Sequence, residues 1–175
     1  MEEETEQNKP RKKQTLPKAI RREEFKQLIR IVPAKDNVFR TAALLSYGAG
    51  LRLSEVLNLR REEVTDKIFV SQGKYSKDRV VPIPKGWKSY MIRLLPLKCS
   101  GRTLQRKFRK YADKAKLNPK YSFHSLRHGF ATAALEAGIP INHLQFLLGH
   151  SNVSTTNVYI RANPIDALRS YEELF

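Results

Sequence analysis

The sequence predicts one mainly α-helical domain with a small antiparallel β-sheet, either a hairpin or three strands. A chain of 175 residues that is 41% hydrophobic is long enough for one domain with its own core. From about residue 22 onward, most apolar residues recur at helical spacing. Only residues 67–71 and 79–83 have the short, valine- and isoleucine-rich composition of strands.

The first fifteen residues differ from the rest. They contain a run of glutamates followed by lysines and arginine, without apolar periodicity. We therefore expect residues 1–15 to form a disordered charged tail and residues 16–175 to form the folded domain.

The first helix is predicted to begin near Arg22 and to end before Pro33. The apolar residues on its one face are Phe25, Leu28, Ile29 and Val32. Asp36 is a suitable N-cap for a second helix through Leu45, which Gly48 and Gly50 would close. A short helix is expected from Ser54.

The two strands, residues 67–71 and 79–83, flank a hairpin loop at residues 73–78. Further helices are predicted over residues 86–95, 103–116, 124–137, 140–148, 154–161 and 164–173. In the helix over 103–116, the apolar stripe consists of Leu104, Phe108, Tyr111 and Ala115. Gly138 is a natural residue to follow one helix, and Pro140 suits the first turn of the next.

The charge of the chain restricts its partners. The chain has 33 Lys and Arg against 17 Asp and Glu, a formal net charge of +16. A charge this large favours a function in nucleic-acid binding. The alternatives are a ribosomal protein or a basic surface that is merely solvated. Cys99 is the single cysteine, so no internal disulfide can form. We find no apolar run that could cross a bilayer and no export signal. We expect an intracellular, cytoplasmic protein that is associated with DNA and not with membranes.

Several cationic and nucleophilic residues suit cleavage of a phosphodiester without a metal. Arg52 and Arg127 are candidate clamps, because a guanidinium can hold two phosphate oxygens at once. Taken singly, Arg52 could be a helix-capping arginine and Arg127 part of a surface ion pair. His124 and His150 could donate to phosphate or move a proton. Acidic residues do not cluster at ligand-like spacing, so we predict no metal and no cofactor.

Tyr159 is the candidate nucleophile, although an isolated tyrosine on the predicted helix 154–161 would more often be a core residue. Its phenol needs nearby cations or a base to ionise. Lys74, on the hairpin loop, is the candidate general acid for the leaving oxygen. The sequence separates Lys74 poorly from Lys77.

These residues belong to five motifs that follow one another in a fixed order. Because of these motifs, the chain resembles the tyrosine recombinases, the phage-integrase class, over about residues 16–165. The step of nine residues from His150 to Tyr159 also agrees with that family. The motifs are Gly-Leu-Arg-x-Ser-Glu at 50–55, Gly-Lys-x-x-Lys-x-Arg-x-Val-Pro at 73–82, His-x-Leu-Arg-His at 124–128, Leu-Gly-His-Ser at 148–151 and Thr-Thr-x-x-Tyr at 155–159.

The resemblance implies a site-specific recombinase or integrase that cleaves and rejoins DNA through a covalent 3′-phosphotyrosine intermediate, without metal or ATP. It makes Arg52 and Arg127 the phosphate-binding pair, and Lys74 the residue that protonates the 5′ oxygen. It makes Tyr159 the nucleophile.

The resemblance also assigns four further residues. His124 is the acid–base partner of the tyrosine, and His150 occupies the His-or-Trp position that orients the phosphate. Glu55 matches an acidic residue that buttresses the site, and His128 is taken as mainly structural. Family members usually carry an N-terminal domain that grips the other face of the duplex. Only about fifteen residues precede the pattern here, so we expect that core-binding domain to be absent.

The implied partners are double-stranded DNA and further copies of the chain. Family resemblance implies a tetrameric synapse on DNA, and we expect a monomer free in solution. Two alternatives stay open. One is a non-catalytic basic DNA-binding module, for which residues 51–64 could supply a helix-turn-helix fragment. The other is a metal nuclease that uses His124 and His128, which lie four residues apart.

Overall fold

The computed structural model describes residues 18–71, 78–149 and 171, and within them the predicted fold class is confirmed: helices with one small antiparallel sheet. The elements are α1 (Arg22–Ile31), α2 (Asn37–Gly48), α3 (Leu53–Asn58), β1 (Lys67–Val70), β2 (Arg79–Pro82), α4 (Ser89–Ile92), α5 (Gly101–Lys114), α6 (His124–Glu136) and α7 (Ile141–Leu148), with a single 3-10 turn at Arg61–Glu63. The predicted tail at 1–15, the helix at 154–161 and most of that at 164–173 lie outside the described residues. So does the hairpin loop, except for Asp78.

Helix α2 forms the centre of the fold, and its start is fixed as the sequence predicts. The carboxylate of Asp36 accepts a hydrogen bond from the backbone N–H of Phe39 at 3.3 Å. The same carboxylate also accepts from Lys107 Nζ at 2.7 Å and from the Tyr111 hydroxyl at 2.7 Å. Asp36 therefore caps α2 and ties it to α5. The helix runs to Gly48, three residues beyond the predicted end at Leu45.

The core lies around α2, which contacts α3, α5 and α6, while α1 packs on α5 and α6. Phe39 of α2 is fully buried and meets the rings of Tyr111 and Phe123 edge-on. The predicted apolar stripe of α5 is confirmed: Leu104, Phe108, Tyr111 and Ala115 are all buried. Helical periodicity was sufficient to identify this face because α5 is half buried and half exposed.

The sheet consists of β1 and β2, paired antiparallel from Lys67 opposite Pro82 to Val70 opposite Arg79. Strand β2 packs against α7. The prediction of a helix over 86–95 is wrong in length, since α4 covers only Ser89–Ile92. Gly86, at φ +91°, lies in a turn in which the backbone N–H of Trp87 donates to Pro84, so a helix cannot begin there.

The connection from α6 to α7 orients the end of α7. Gly138 follows α6 at φ +91°, as predicted, and Ile139 N–H donates to the carbonyl of Ala134. Pro140 is the N-cap of α7 and not a residue of its first turn. Helix α7 then contacts both α6 and β2. As a result, the C-terminus of α7 meets the start of α3, the start of β2 and the first turns of α6. Within the described residues, no helix is long and apolar enough to span a membrane.

Candidate active site

Glu55 lies at the centre of a cluster of three arginines from three elements. It is near the start of α3, and its side chain is 8% exposed. Its Oε1 accepts from Arg52 Nη1 at 2.7 Å and from Arg79 Nη1 at 3.1 Å. Its Oε2 accepts from the backbone N–H of Arg52 at 2.7 Å and from Arg79 Nη2 at 2.8 Å. Arg127 Nη1 lies 3.7 Å from the same Oε2. We call Glu55, Arg52, Arg79 and Arg127 the arginine cluster.

The arginines determine the charge of Glu55. Burial alone would raise the pKa of this carboxyl. The hydrogen bonds and positive charge of Arg79, followed by those of Arg52, outweigh burial and lower the pKa to about 2. Glu55 is therefore ionised at neutral pH, and it holds the guanidinium groups in place.

Arg127 is buried, with 4% of the residue exposed, so it is not part of a surface ion pair. Its Nη1 donates to the carbonyl of Gly50 and its Nη2 to the carbonyl of Leu148, both at 2.6 Å. Gly50 has φ +69°, and a Cβ there would lie 2.7 Å from the Phe130 ring, so this turn requires glycine. Burial and then the charge of Arg52 lower the pKa of Arg127 to about 10, which leaves it cationic at neutral pH.

Arg52 is the member of the cluster with access to solvent. Its side chain is 33% exposed, and its Nη2 donates to the carbonyl of Gly149 at 2.9 Å. It occupies the N-cap position of α3, but its side chain does not cap that helix with a hydrogen bond. The cluster therefore presents one partly exposed guanidinium beside two buried ones.

The end of α7 is held by all three arginines. The carbonyls of Leu147, Leu148 and Gly149 are left without helical partners where the helix stops, and they carry the negative end of its dipole. Arg79 Nε donates to the carbonyl of Leu147 at 2.7 Å. Arg127 Nη2 donates to the carbonyl of Leu148, and Arg52 Nη2 donates to that of Gly149. Three successive carbonyls thus each bind a different guanidinium.

Arg79 is the residue of this site that the sequence analysis did not single out. Its place in the second motif was quoted without a role. A signal was present, because alternation along β2 places Arg79 on the same side as Val81, and both are buried. A charged residue on the core face of a strand requires partners.

His124 and His128 lie on the first two turns of α6, where their rings meet edge-to-face with centroids 4.8 Å apart. Burial, then the charges of Arg127 and Arg52, lower the pKa of His124. Burial, then His124 and Arg127, lower the pKa of His128. Both imidazoles are therefore neutral at pH 7, and a neutral imidazole can accept a proton.

The metal-nuclease alternative finds no support in the part of the chain that the structure describes. There, His, Cys, Asp and Glu do not form any group of three or more that could hold a metal ion. The pair of His124 and His128 would need further ligands to form a stable site.

The predicted residues Lys74, His150 and Tyr159, and the alternative Lys77, lie outside the described residues. Among the five described tyrosines, four have a raised pKa, which is the opposite of what a nucleophile needs. These four are Tyr47, Tyr111, Tyr121 and Tyr171. Burial raises the pKa of Tyr171 to about 12, and its hydroxyl donates to the carbonyl of Gly48 at 2.8 Å.

Comparison with known proteins gives the family. The profile described as "Phage integrase family" matches residues 18–165, so the chain belongs to that family, and the resemblance inferred from its motifs is confirmed. It is 38% identical to the tyrosine recombinase XerA of Thermococcus onnurineus over 94% of this chain and 64% of the relative. It is 39% identical to XerA of Thermococcus kodakarensis over 99% of this chain and 68% of the relative. The chain thus spans about two thirds of the length of these relatives.

Solved structures agree. A crystal structure of XerA recombinase superposes with a TM-score of 0.66 at 26% identity, covering 91% of this chain and 65% of the other. The lambda integrase catalytic core superposes with a TM-score of 0.62 at 18% identity, covering 76% of this chain and 91% of that one. The second likeness shows that this chain has the fold of that catalytic core.

Proposed function

We propose that this chain is the catalytic domain of a site-specific DNA recombinase that cuts and rejoins duplex DNA through a 3′-phosphotyrosine intermediate. The observation that carries the proposal is the convergence of Arg52 and Arg127, from α3 and α6, on one carboxylate and one helix end. Two cations held in fixed positions can stabilise the charge that develops at a five-coordinate phosphorus. They supply what a metal ion would supply in other nucleases.

The arginines bind the scissile phosphate in this proposal. A guanidinium has five N–H donors, and the two carbonyl contacts of Arg127 use only two of them. Arg52, one third exposed, is the first to meet DNA, and its fork can hold two phosphate oxygens. Glu55 holds the guanidinium groups of Arg52 and Arg127 in fixed positions before the substrate binds.

The chemistry then needs a nucleophile, a base and an acid. The Tyr159 oxygen attacks the phosphorus and gives up its proton to His124, which is neutral at pH 7. The bond to the 5′ oxygen breaks, and Lys74 protonates that oxygen. His150 donates to a phosphate oxygen. A 5′-hydroxyl from another strand then attacks the phosphotyrosine and restores a phosphodiester, with no net consumption of bond energy.

The chain positions of these residues support their roles. Lys74 lies five residues before Arg79, and five residues span at most roughly 18 Å. His150 directly follows Gly149, whose carbonyl binds Arg52. The chain is thus short enough for Lys74 and His150 to reach the arginine cluster, which supports the roles proposed for them.

Duplex DNA and further copies of the chain are the partners we infer. The formal net charge of +16 supports a polyanionic partner. Lambda integrase, whose fold this chain shares, has been solved as a tetramer bound to a Holliday junction. We extend the same kind of partner to this chain, acting inside the cell on DNA.

A trapping assay tests the proposal. The substrate is a library of duplexes with a randomised core and a nick a few nucleotides 3′ of the cleavage point, so the short 5′-hydroxyl fragment diffuses away and resealing loses its proximity advantage. We expect a covalent protein–DNA adduct in EDTA that is lost in Tyr159→Phe and kept in Tyr121→Phe. Duplex binding without any adduct would instead identify a non-catalytic DNA-binding module. An adduct that forms only with Mg²⁺ would refute the metal-free mechanism.

A further inference from the structure

We infer that Arg79 is a positioning residue for DNA cleavage: it holds Glu55 and the end of α7 in the arrangement that aligns the two phosphate-binding arginines. The inference rests on the proposed function, and it gives a role to a residue that the motifs alone left without one. It follows from the contacts of Arg79 and from its burial.

The contacts of Arg79 join three elements at one point. Its Nη1 and Nη2 form a fork on the Glu55 carboxylate, at 3.1 and 2.8 Å, and its Nε donates to the Leu147 carbonyl at 2.7 Å. Thus β2, α3 and α7 are connected through a single guanidinium. Bidentate pairing restricts angle as well as distance, so the orientation of the carboxylate is set by Arg79.

The turn after α7 is packed directly on this guanidinium. Gly149 has φ +60°, and a Cβ at that position would lie 2.9 Å from Arg79 Nη1, 3.1 Å from Cδ and 3.2 Å from Cζ. Only glycine combines this backbone conformation with such a close approach. The carbonyl of Gly149 in turn binds Arg52. Arg79 therefore supports the turn that holds Arg52 and that leads to His150.

Arg79 differs from Arg52 in its exposure to solvent. Arg79 is 3% exposed, with its fork on Glu55 and its Nε on a carbonyl, whereas one third of the Arg52 side chain faces solvent. Arg127 is as buried as Arg79, but its two carbonyl contacts use only Nη1 and Nη2. All three guanidinium nitrogens of Arg79 donate to Glu55 or to the Leu147 carbonyl. Arg79 is thus placed to act through Glu55 and the α7 carbonyl and not on the phosphate. Removing one partner of a buried ion pair also destabilises a fold, so the melting temperature has to be measured beside the cleavage rate.

The test compares Arg79→Met and Arg79→Lys with a matched control, Arg61→Met. Arg61 also ties down backbone carbonyls, with Nε to Leu95 at 2.9 Å and Nη2 to Arg93 at 2.8 Å, but it lies outside the arginine cluster. The measured quantities are the single-turnover rate of adduct formation on the nicked duplex, the duplex Kd and the melting temperature.

We expect Arg79→Met to form the adduct about 10²-fold more slowly, since a misplacement of about 1 Å at a reacting centre has that effect. Duplex affinity should change little, because phosphate contacts come from other residues. Arg79→Lys should be intermediate, since its single Nζ keeps a charge beside Glu55 but lacks the fork. Arg61→Met should cleave like the wild-type chain.

A methylphosphonate at the cleaved position distinguishes positioning from phosphate contact. A neutral phosphonate needs less charge stabilisation, so Arg127→Ala should recover much of its lost rate on it. Arg79→Met should not recover, because its defect is one of alignment. Recovery of Arg79→Met to the same degree would show that Arg79 acts on the phosphate and would overturn the inference.

Three further outcomes would also contradict the proposed role of Arg79. If Arg79→Met matches Arg61→Met in rate, the inference is wrong and the proposed function stands. If both Arg79 variants lose duplex binding together with their melting transition, Arg79 is a structural residue and the inference is wrong. If the wild-type chain forms no adduct, the proposed function fails, and the role of Arg79 in it fails as well.

Discussion

Arg52 and Arg127 donate to consecutive carbonyls at the end of α7, Arg127 to Leu148 at 2.6 Å and Arg52 to Gly149 at 2.9 Å. One helix end therefore fixes the spacing of two guanidinium groups that come from different helices. The arginine cluster is held by hydrogen bonds within the protein itself, and charges held in fixed positions stabilise a transition state most effectively. The two arginines differ in burial, and from that difference we expect different consequences on mutation.

Arg127→Ala should reduce the free energy of unfolding by about 2 to 4 kcal/mol, because two buried carbonyls lose their donor and Glu55 loses a nearby cation. Arg52→Ala should reduce it by less than about 1 kcal/mol, because that side chain is partly exposed. Both should slow cleavage by at least about 10² to 10³. Urea denaturation and the trapping assay measure the two effects, and equal stability losses would contradict the burial argument.

Glu55→Gln should change how stability depends on pH. The pKa of Glu55 is about 2 in the folded chain against an ordinary 4.5, so its ionisation stabilises the fold fully above pH 4.5, and that stabilisation is lost as the pH falls toward 2. At neutral pH the effect amounts to about 3 kcal/mol. The difference in unfolding free energy between wild type and Glu55→Gln should shrink as the pH falls below 4.5.

The control for Glu55 is Glu62→Gln, at an exposed glutamate in the 3-10 turn. Its unfolding free energy should follow the wild type across the same pH range. A difference for Glu55→Gln that stays constant from neutral pH to about 3 would show that ionisation of Glu55 does not stabilise the fold.

His124 should determine the acid limb of the cleavage rate. Burial and the neighbouring Arg127 and Arg52 lower its pKa below the ordinary 6.5, so the neutral, proton-accepting form persists to lower pH. We expect the rate to fall only below pH 6.5. His124→Gln should slow cleavage by about 10² or more and abolish that limb, whereas His128→Gln should retain it. An acid limb above pH 6.5 in the wild-type chain would contradict the proposed role.

Duplex binding by this chain should depend steeply on salt, because a chain with a formal net charge of +16 is expected to contact mostly phosphates. The logarithm of the association constant should fall linearly with the logarithm of salt concentration. Arg52→Ala should reduce the slope by about 1, the contribution of one phosphate contact. Tight binding that is insensitive to salt would instead point to recognition by uncharged contacts.

Much of the fold could be predicted from local patterns. The Asp36 cap of α2 and the buried stripe of α5 followed from capping chemistry and helical period. The late start of α4 at Ser89 was not predicted, because Gly86 at positive φ precedes it in a segment whose composition is otherwise helical.

The site was predictable only in part. Motif order singled out Arg52, Glu55 and Arg127, which the structure brings together. It did not reveal that Arg127 is buried or that three guanidinium groups bind the end of α7. The role of Arg79 depends on a carboxylate from α3 and a backbone carbonyl from α7. Backbone carbonyls have no signature in the sequence, so only the packed fold could show these contacts.

In the proposed mechanism, Tyr159 attacks a phosphate bound by the arginine cluster. The most direct test is to isolate the adduct formed in EDTA, digest it with protease and nuclease, and identify the modified peptide by mass spectrometry. We expect a nucleotide joined through its 3′-phosphate to Tyr159. Attachment to any other residue, including Tyr75, or through a 5′-phosphate would contradict it.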